Sequence, residues 1–189
     1  MSERYAQDSR YTAASYFALV EQGLLSPRDR VELLEGVIVA EPPMDPAHAS
    51  AITLAARAVE RAVGDRALVR IQAPLIAGPF SVPEPDVAVV PGQPADYFHE
   101  HPTSALLVVE VSESSLQQDR LSKSRVYAGA NVMEYWIANL RERCIEIFRD
   151  PDPTRRLYAQ RSTAYRGELM RLVAFPDACV GVDELLPDD

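Results

Sequence analysis

Two acids stand in runs that should be apolar. Asp86 opens DVAVV (86–90) and Glu110 nearly closes ALLVVEVS (105–112), and both runs read as strands. If the strands pair antiparallel, placing Val90 opposite Leu106 also places Asp86 opposite Glu110. Their side chains then leave one face from Cβ atoms about 4.5–5.5 Å apart. Two carboxylates that close repel, and burial raises the cost, so the arrangement makes sense chiefly around a cation. Oxygen-only ligands favour Mg²⁺ or Mn²⁺.

A third residue stands out by rarity. Of nineteen Lys and Arg residues, eighteen are Arg and Lys123 is the one lysine. Codon composition accounts for the arginine bias, and under it a lone lysine remains either by chance or where a position requires a compact ammonium and not a planar guanidinium. Lys123 lies on the helix predicted after the Glu110 strand. There Leu116, Leu121, Val126 and Ala130 are expected to pack on the sheet, and Asp119, Lys123 and Tyr127 form a stripe at i, i+4, i+8. A helix returning over the sheet points Lys123 at the Asp86/Glu110 pair. Two carboxylates, a metal and an ammonium are the parts phosphodiester hydrolysis needs: a polarised phosphate, an acidified water, and a cation for the charge that develops.

Other constellations carry less. His99 and His101 form an HEH triplet in an inter-strand loop without a third ligand at metal spacing, and read as solvent-exposed. Serines 112, 114, 115, 122 and 124 crowd the region with no GxSxG turn and no His partner, which argues against a serine hydrolase. No phosphate-binding glycine pattern is present. Trp136 reads as core beside the sheet, and Glu84 as a solvated neighbour of Asp86.

The elements that must position these residues follow from pattern. Thr12 caps a helix through AASYFALVEQ that stops at Gly23, and RVELLEGVIVA reads as a hairpin turning at Glu35-Gly36, with strands near 30–34 and 37–41. Ile52, Ala55, Ala56, Val59 and Val63 have helical spacing up to Gly64. Strands follow over 67–77, 85–90 and 104–112, then the Lys123 helix with Ser114 or Ser115 as its cap. MEYWIAN and RCIEIFRD are two more strands, and the tail adds one or two short ones within 158–162 and 170–175.

The chain's 189 residues, 47% apolar and 25% charged, describe one globular domain. No apolar run is long enough to span a membrane and no signal peptide is evident, so a cytoplasmic protein is expected, with Cys144 and Cys179 as reduced thiols. The net charge of −9 argues against a surface coated in phosphate-binding residues, so any nucleic acid must bind locally. Residues 141–171 carry eight Arg against five acids, +3 against −12 elsewhere, and read either as a solvated strand face or as a phosphate contact.

The strings VELLEGVIVAEPPMDPAHA, RIQAPLIAGPFSVPEPDVAVV and LLVVEVSESSLQQDRLSKSRVYAGANVMEYWIAN resemble the Uma-two family of endonucleases within the PD-(D/E)xK nuclease superfamily, over roughly residues 10–185. The resemblance places metal-binding carboxylates at Asp86 and Glu110, with the carbonyl of Val111 as a further ligand. Ser112 stands where the simplest pattern has Lys, and the family's D-x-x-x-K-x-x-x-Y arrangement falls on Asp119, Lys123 and Tyr127. It implies Glu32 as a third metal ligand. Its P-x-x-H falls on Pro46 and His48 one residue out of spacing, leaving His48 as a cap, a packing residue or a substrate contact. Gln72, in Q-x-P, either orients phosphate or water or makes a cross-strand hydrogen bond.

The expectation is therefore a single α/β domain over 1–189, a restriction-endonuclease-like mixed, mainly antiparallel sheet flanked by helices. It divides into an N-terminal helix and hairpin (10–42), a nuclease core (46–150) and C-terminal strands (155–185). Asp86, Glu110 and Lys123 are the catalytic residues of an Mg²⁺- or Mn²⁺-dependent endonuclease; Gln72, His48 and Tyr127 contact substrate. DNA is the expected partner, a homodimer the expected assembly, and no membrane is involved. The alternatives are a nucleic-acid-binding or regulatory module of the same fold that does little chemistry, and a structural or interaction protein in which the three residues form only a buried charge network.

Overall fold

The structure, a computed structural model, describes residues 10–26 and 28–187. Its centre is a six-stranded sheet in the order β3-β4-β5-β6-β7-β8. The strands are β3 (Leu68–Ile71), β4 (Val87–Val90), β5 (Leu107–Ser112), β6 (Glu134–Asn139), β7 (Cys144–Asp152) and β8 (Leu157–Tyr165). All neighbours are antiparallel except β5 and β6. A parallel pair needs a crossover, and the helical segment 116–129 supplies it. The sheet is thus mixed and mainly antiparallel, as expected, and it continues past residue 150 through β8.

Strand alternation sorts side chains between two cores. Val87, Val89, Val109, Val111 and Trp136 face α2 (Pro46–Val63) and the hairpin of β9 (Leu169–Arg171) and β10 (Cys179–Gly181). Ala88, Val90, Val108, Tyr127, Tyr135 and Ile137 fill the opposite face. The α2 helix forms because Asp45 caps it, accepting from the N–H groups of Ala47 and His48, with Pro46 in its first turn. It presents Ile52, Val59 and Val63 to the sheet, worth about 1.5–3 kcal/mol each when fully buried.

The N-terminal elements lie where expected. Thr12 caps α1 (Ala13–Glu21) in a capping box with Ser15. In the turn between β1 (Val31–Leu34) and β2 (Val37–Ala40), Glu35 and Gly36 both have positive φ, as a two-residue hairpin turn demands. The hairpin is fastened to the segment before β4 by the Leu33–Val82 bridge and by the N–H of Gly36 donating to the Phe80 carbonyl at 2.7 Å.

Four expectations on local structure need correction. The strand expected over 67–77 ends at Ile71, because Gln72 turns to φ +45 and Pro74 lacks an N–H to continue the ladder. Leu121 is exposed rather than packed on the sheet. Leu116–Gln118 (α3), a π-helical turn at Asp119–Lys123, and Ser124–Gly129 (α4) run on as one helix, and the wide turn gives the sheet-facing side to Asp119 and Lys123. Ser115 holds the N-cap position but spends its hydroxyl on Asp119, 2.7 Å away, instead of on a backbone N–H. Of the tail, β10 had no clear strand signal in its three residues, Cys179-Val180-Gly181.

Candidate active site

The predicted register is the observed one: Val87 lies opposite Val109 and Ala88 opposite Val108. Continuing it by one residue brings Asp86 and Glu110 together on the Ala88/Val108 face, toward the crossover helix. Both acids are almost fully buried, and so are Glu32, Asp119 and Lys123. Four carboxylates therefore share one ammonium.

Lys123 Nζ donates to Glu110 Oε1 at 3.1 Å and lies 3.4 Å from Glu32 Oε1. The Tyr127 hydroxyl also donates to Glu110 Oε1. No described residue donates to Glu110 Oε2, which is left for the cleft. Asp86 is held from three sides: the Val111 N–H donates to Oδ2 at 2.8 Å, the Gln72 amide reaches Oδ1 at 3.4 Å, and His48 Nε2 stands 3.6 Å from Oδ2. Glu32 arrives on β1, and its Oε2 accepts from the Glu84 N–H at 3.4 Å.

Electrostatics follow from this crowding. Burial, reinforced by the neighbouring acids, lifts Glu110 well above the ordinary glutamate range despite Lys123. Burial raises Glu32 and Asp119 in the same way. Burial alone would lower Lys123, but Glu110, Glu32, Asp119 and Asp86 together push it well above the usual lysine value. His48 is raised by its contact with Asp86, against its own desolvation.

The donor set fits a hard divalent cation. Asp86 and Glu110 each bring oxygens to a cleft of about 70 Å³, and Val111 lines that cleft by its main chain while its side chain lies in the α2 core. That space suits an ion with its waters, not a nucleotide. Among the described residues no three His, Cys, Asp or Glu side chains already form a coordination set, so the ion would rest on two carboxylates, the Val111 carbonyl and water. An excess of buried negative charge beside an open carboxylate oxygen is the feature such an ion neutralises.

The residues assigned to the site from sequence line this cleft or touch one that does: Asp86, Glu110, Lys123, Glu32, Val111, Gln72 and His48 line it, and Tyr127 backs Glu110. Glu32 sits against Lys123. Asp119 is the member sequence reasoning left on a stripe without a role; the signal was its place one turn before the lone lysine. Two expectations fail. His101 is not solvent-exposed but stacks on Phe17, with ring centroids 5.4 Å apart. Glu84 is half-buried: it lines the space beside α1, and its N–H donates to Glu32.

Four of the eight arginines in the arginine-rich segment pair with acids: Arg149 with Glu134, Arg156 with Glu35, Arg161 with Glu146 and Arg166 with Asp183. Trp136 is buried core, its indole N–H donating to Glu134 at 2.9 Å.

A sheet of this order with a carboxylate pair beside its parallel strands is a nuclease fold. The crystal structure of a putative nuclease of Anabaena variabilis, belonging to DUF820, superposes with a TM-score of 0.71 over 88% of this chain and 96% of that one at 13% identity, which shows the shared fold. The type IIG restriction endonuclease BpuSI aligns over 68% of this chain and 15% of its own at 20% identity, TM-score 0.42. No curated protein matches. The Uma2 (Uma-two) family model, described as putative restriction endonuclease, matches residues 14–182, and the chain belongs to that family. Among the described residues no helix is long and apolar enough to cross a membrane.

Proposed function

We propose that the protein is a metal-dependent endonuclease that hydrolyses phosphodiester bonds in DNA. The observation that carries the reading is the cluster of four buried carboxylates around a single lysine at an open cleft. Charge so arranged costs stability unless a cation and a substrate use it.

Asp86 and Glu110, with the Val111 carbonyl, are the groups that would hold Mg²⁺ or Mn²⁺. When bound, the ion supplies a polarised phosphate and a more acidic water. The remaining work falls to the chain. Lys123 stays an ammonium, so it donates to the attacking water and to the phosphate oxygens and does not abstract the proton. Glu32 and Asp119 hold its charge in place. Tyr127 fixes the Glu110 carboxylate, and Gln72 and His48 fix Asp86, as outer partners of metal-binding groups commonly do. No side chain is needed as nucleophile.

The test is incubation of the purified protein with plasmid, linear duplex and single-stranded DNA, with and without Mg²⁺ or Mn²⁺. Cleavage that needs the cation and is lost in Asp86→Asn supports the reading; cleavage unaffected by a chelator sinks it. A binding module without chemistry is the second reading. It predicts DNA binding and no cutting.

A further inference from the structure

A second cavity, of about 610 Å³, adjoins the metal cleft and shares Arg30, Glu41, Met44 and Gln72 with it. Its lining is of another kind. Tyr16, Phe17 and Val20 of α1 form an apolar wall, and the rings of Phe17 and His101 stack there with planes 19° apart. Glu84 also lines it, and no described residue donates a hydrogen bond to that half-buried carboxylate. Arg30 lies 3.5 Å from Glu41 at the boundary between the two spaces. Arg30 and Gln72, both at that boundary, have φ +45.

A phosphate that enters the 70 Å³ cleft leaves no room there for its base. The adjoining cavity has the size of a small-molecule site, an aromatic wall for a flat ring and an acceptor without a donor. A base reaches a recess of this kind only after leaving the helical stack. An ionised carboxylate accepts two parallel N–H groups best, and among the bases guanine presents two on one edge, N1–H and the N2 amine. We propose that this cavity takes an unpaired guanine base beside the scissile phosphate, which makes the enzyme selective for DNA with an extrahelical or single-stranded guanine. This rests on the nuclease reading for its biological sense, but not for its test.

The full chain, its Phe17→Ala variant and its Glu84→Gln variant are titrated with guanosine and inosine monophosphate and followed by ligand-observed NMR. Inosine lacks the N2 amine. The expected result is tighter binding of the guanine nucleotide, with about a tenfold or greater loss in each variant, the scale of one base-stacking contact. Glu84→Gln preserves size, so it decides the matter if Phe17→Ala unsettles α1. Equal binding of the two nucleotides, or full binding by Glu84→Gln, overturns the proposal. The titration needs neither metal nor cleavage: guanine binding without Mg²⁺-dependent cutting would defeat the nuclease reading alone. Conversely, cutting that is equal on a paired duplex and on one with an unpaired guanine, with no nucleotide bound, would defeat the cavity alone.

Discussion

The main-chain N–H of Val111 donates to Asp86 Oδ2 at 2.8 Å, so the acid before β4 is tied to the backbone of the strand that carries Glu110. The carboxylate is thereby aimed before any cation arrives. Asp86→Asn keeps an oxygen that can accept this bond but removes the charge. Divalent cation should raise the melting temperature of the wild type, because it binds the folded pair and not the unfolded chain. The variant should lose most of that rise while its metal-free form is as stable as the wild type or more so, since like charges are relieved. Thermal scans with and without Mg²⁺ decide it, and a full Mg²⁺ shift in the variant removes Asp86 from the site.

Lys123 should carry both stability and rate. Lys123→Met leaves Glu110 and Glu32 without their cation, at a cost of about 3–5 kcal/mol near pH 8 by urea denaturation. The cost should shrink as pH falls and those carboxyls, raised by burial, take up protons. At saturating Mg²⁺, cleavage should fall by about 10²-fold or more, and Lys123→Arg should rescue it poorly. Full cleavage by Lys123→Met would leave the lysine a structural ion only.

Metal binding should release protons. Glu110 and Glu32 have folded pKa values raised by burial, so the stabilisation they give is complete below the unfolded glutamate value of about 4.3 and is lost as pH rises through the folded values. A cation needs the ionised forms, so its affinity should climb with pH over that window. Calorimetry in two buffers of different ionisation enthalpy measures the release, and Glu110→Gln should diminish it. No release in the wild type would mean that the acids are already ionised.

Gln72 sets stability against function. Its φ of +45 costs a residue with a side chain about 1–2 kcal/mol, which glycine avoids. Gln72→Gly should therefore be more stable by about 1 kcal/mol yet cleave about tenfold more slowly, because Asp86 loses its amide partner. A variant that gains stability and keeps its rate would show that the left-handed residue has no catalytic purpose.

The site was legible in sequence where it depended on strand alternation and on rarity. Two acids in apolar strands fixed the Asp86/Glu110 register, and one lysine among nineteen basic residues fixed Lys123. What escaped was whatever depended on backbone departures that no residue type announces. The π-helical turn that buries Asp119 and exposes Leu121 arises from tertiary demand, since DRLSK has no composition that marks it. The left-handed Gln72 ended a strand whose pattern ran on to residue 77. His101 looked solvated because its stacking partner, Phe17, lies 84 positions away in sequence.

The lone lysine also has a kinetic consequence, because it sits inside the π-helical turn with only 6% of its surface exposed. A lysine-specific protease has one cleavable bond in the whole chain, after Lys123, and a folded helix cannot thread a protease active site. Each cut therefore reports an opening that exposes this turn, whether local or part of global unfolding. When opening and closing are fast relative to cleavage, the digestion rate measures the free energy of the opening that exposes this helix, and a value below the global unfolding free energy marks a local opening. Slower digestion as Mg²⁺ is added would show how far the cation holds that single turn shut.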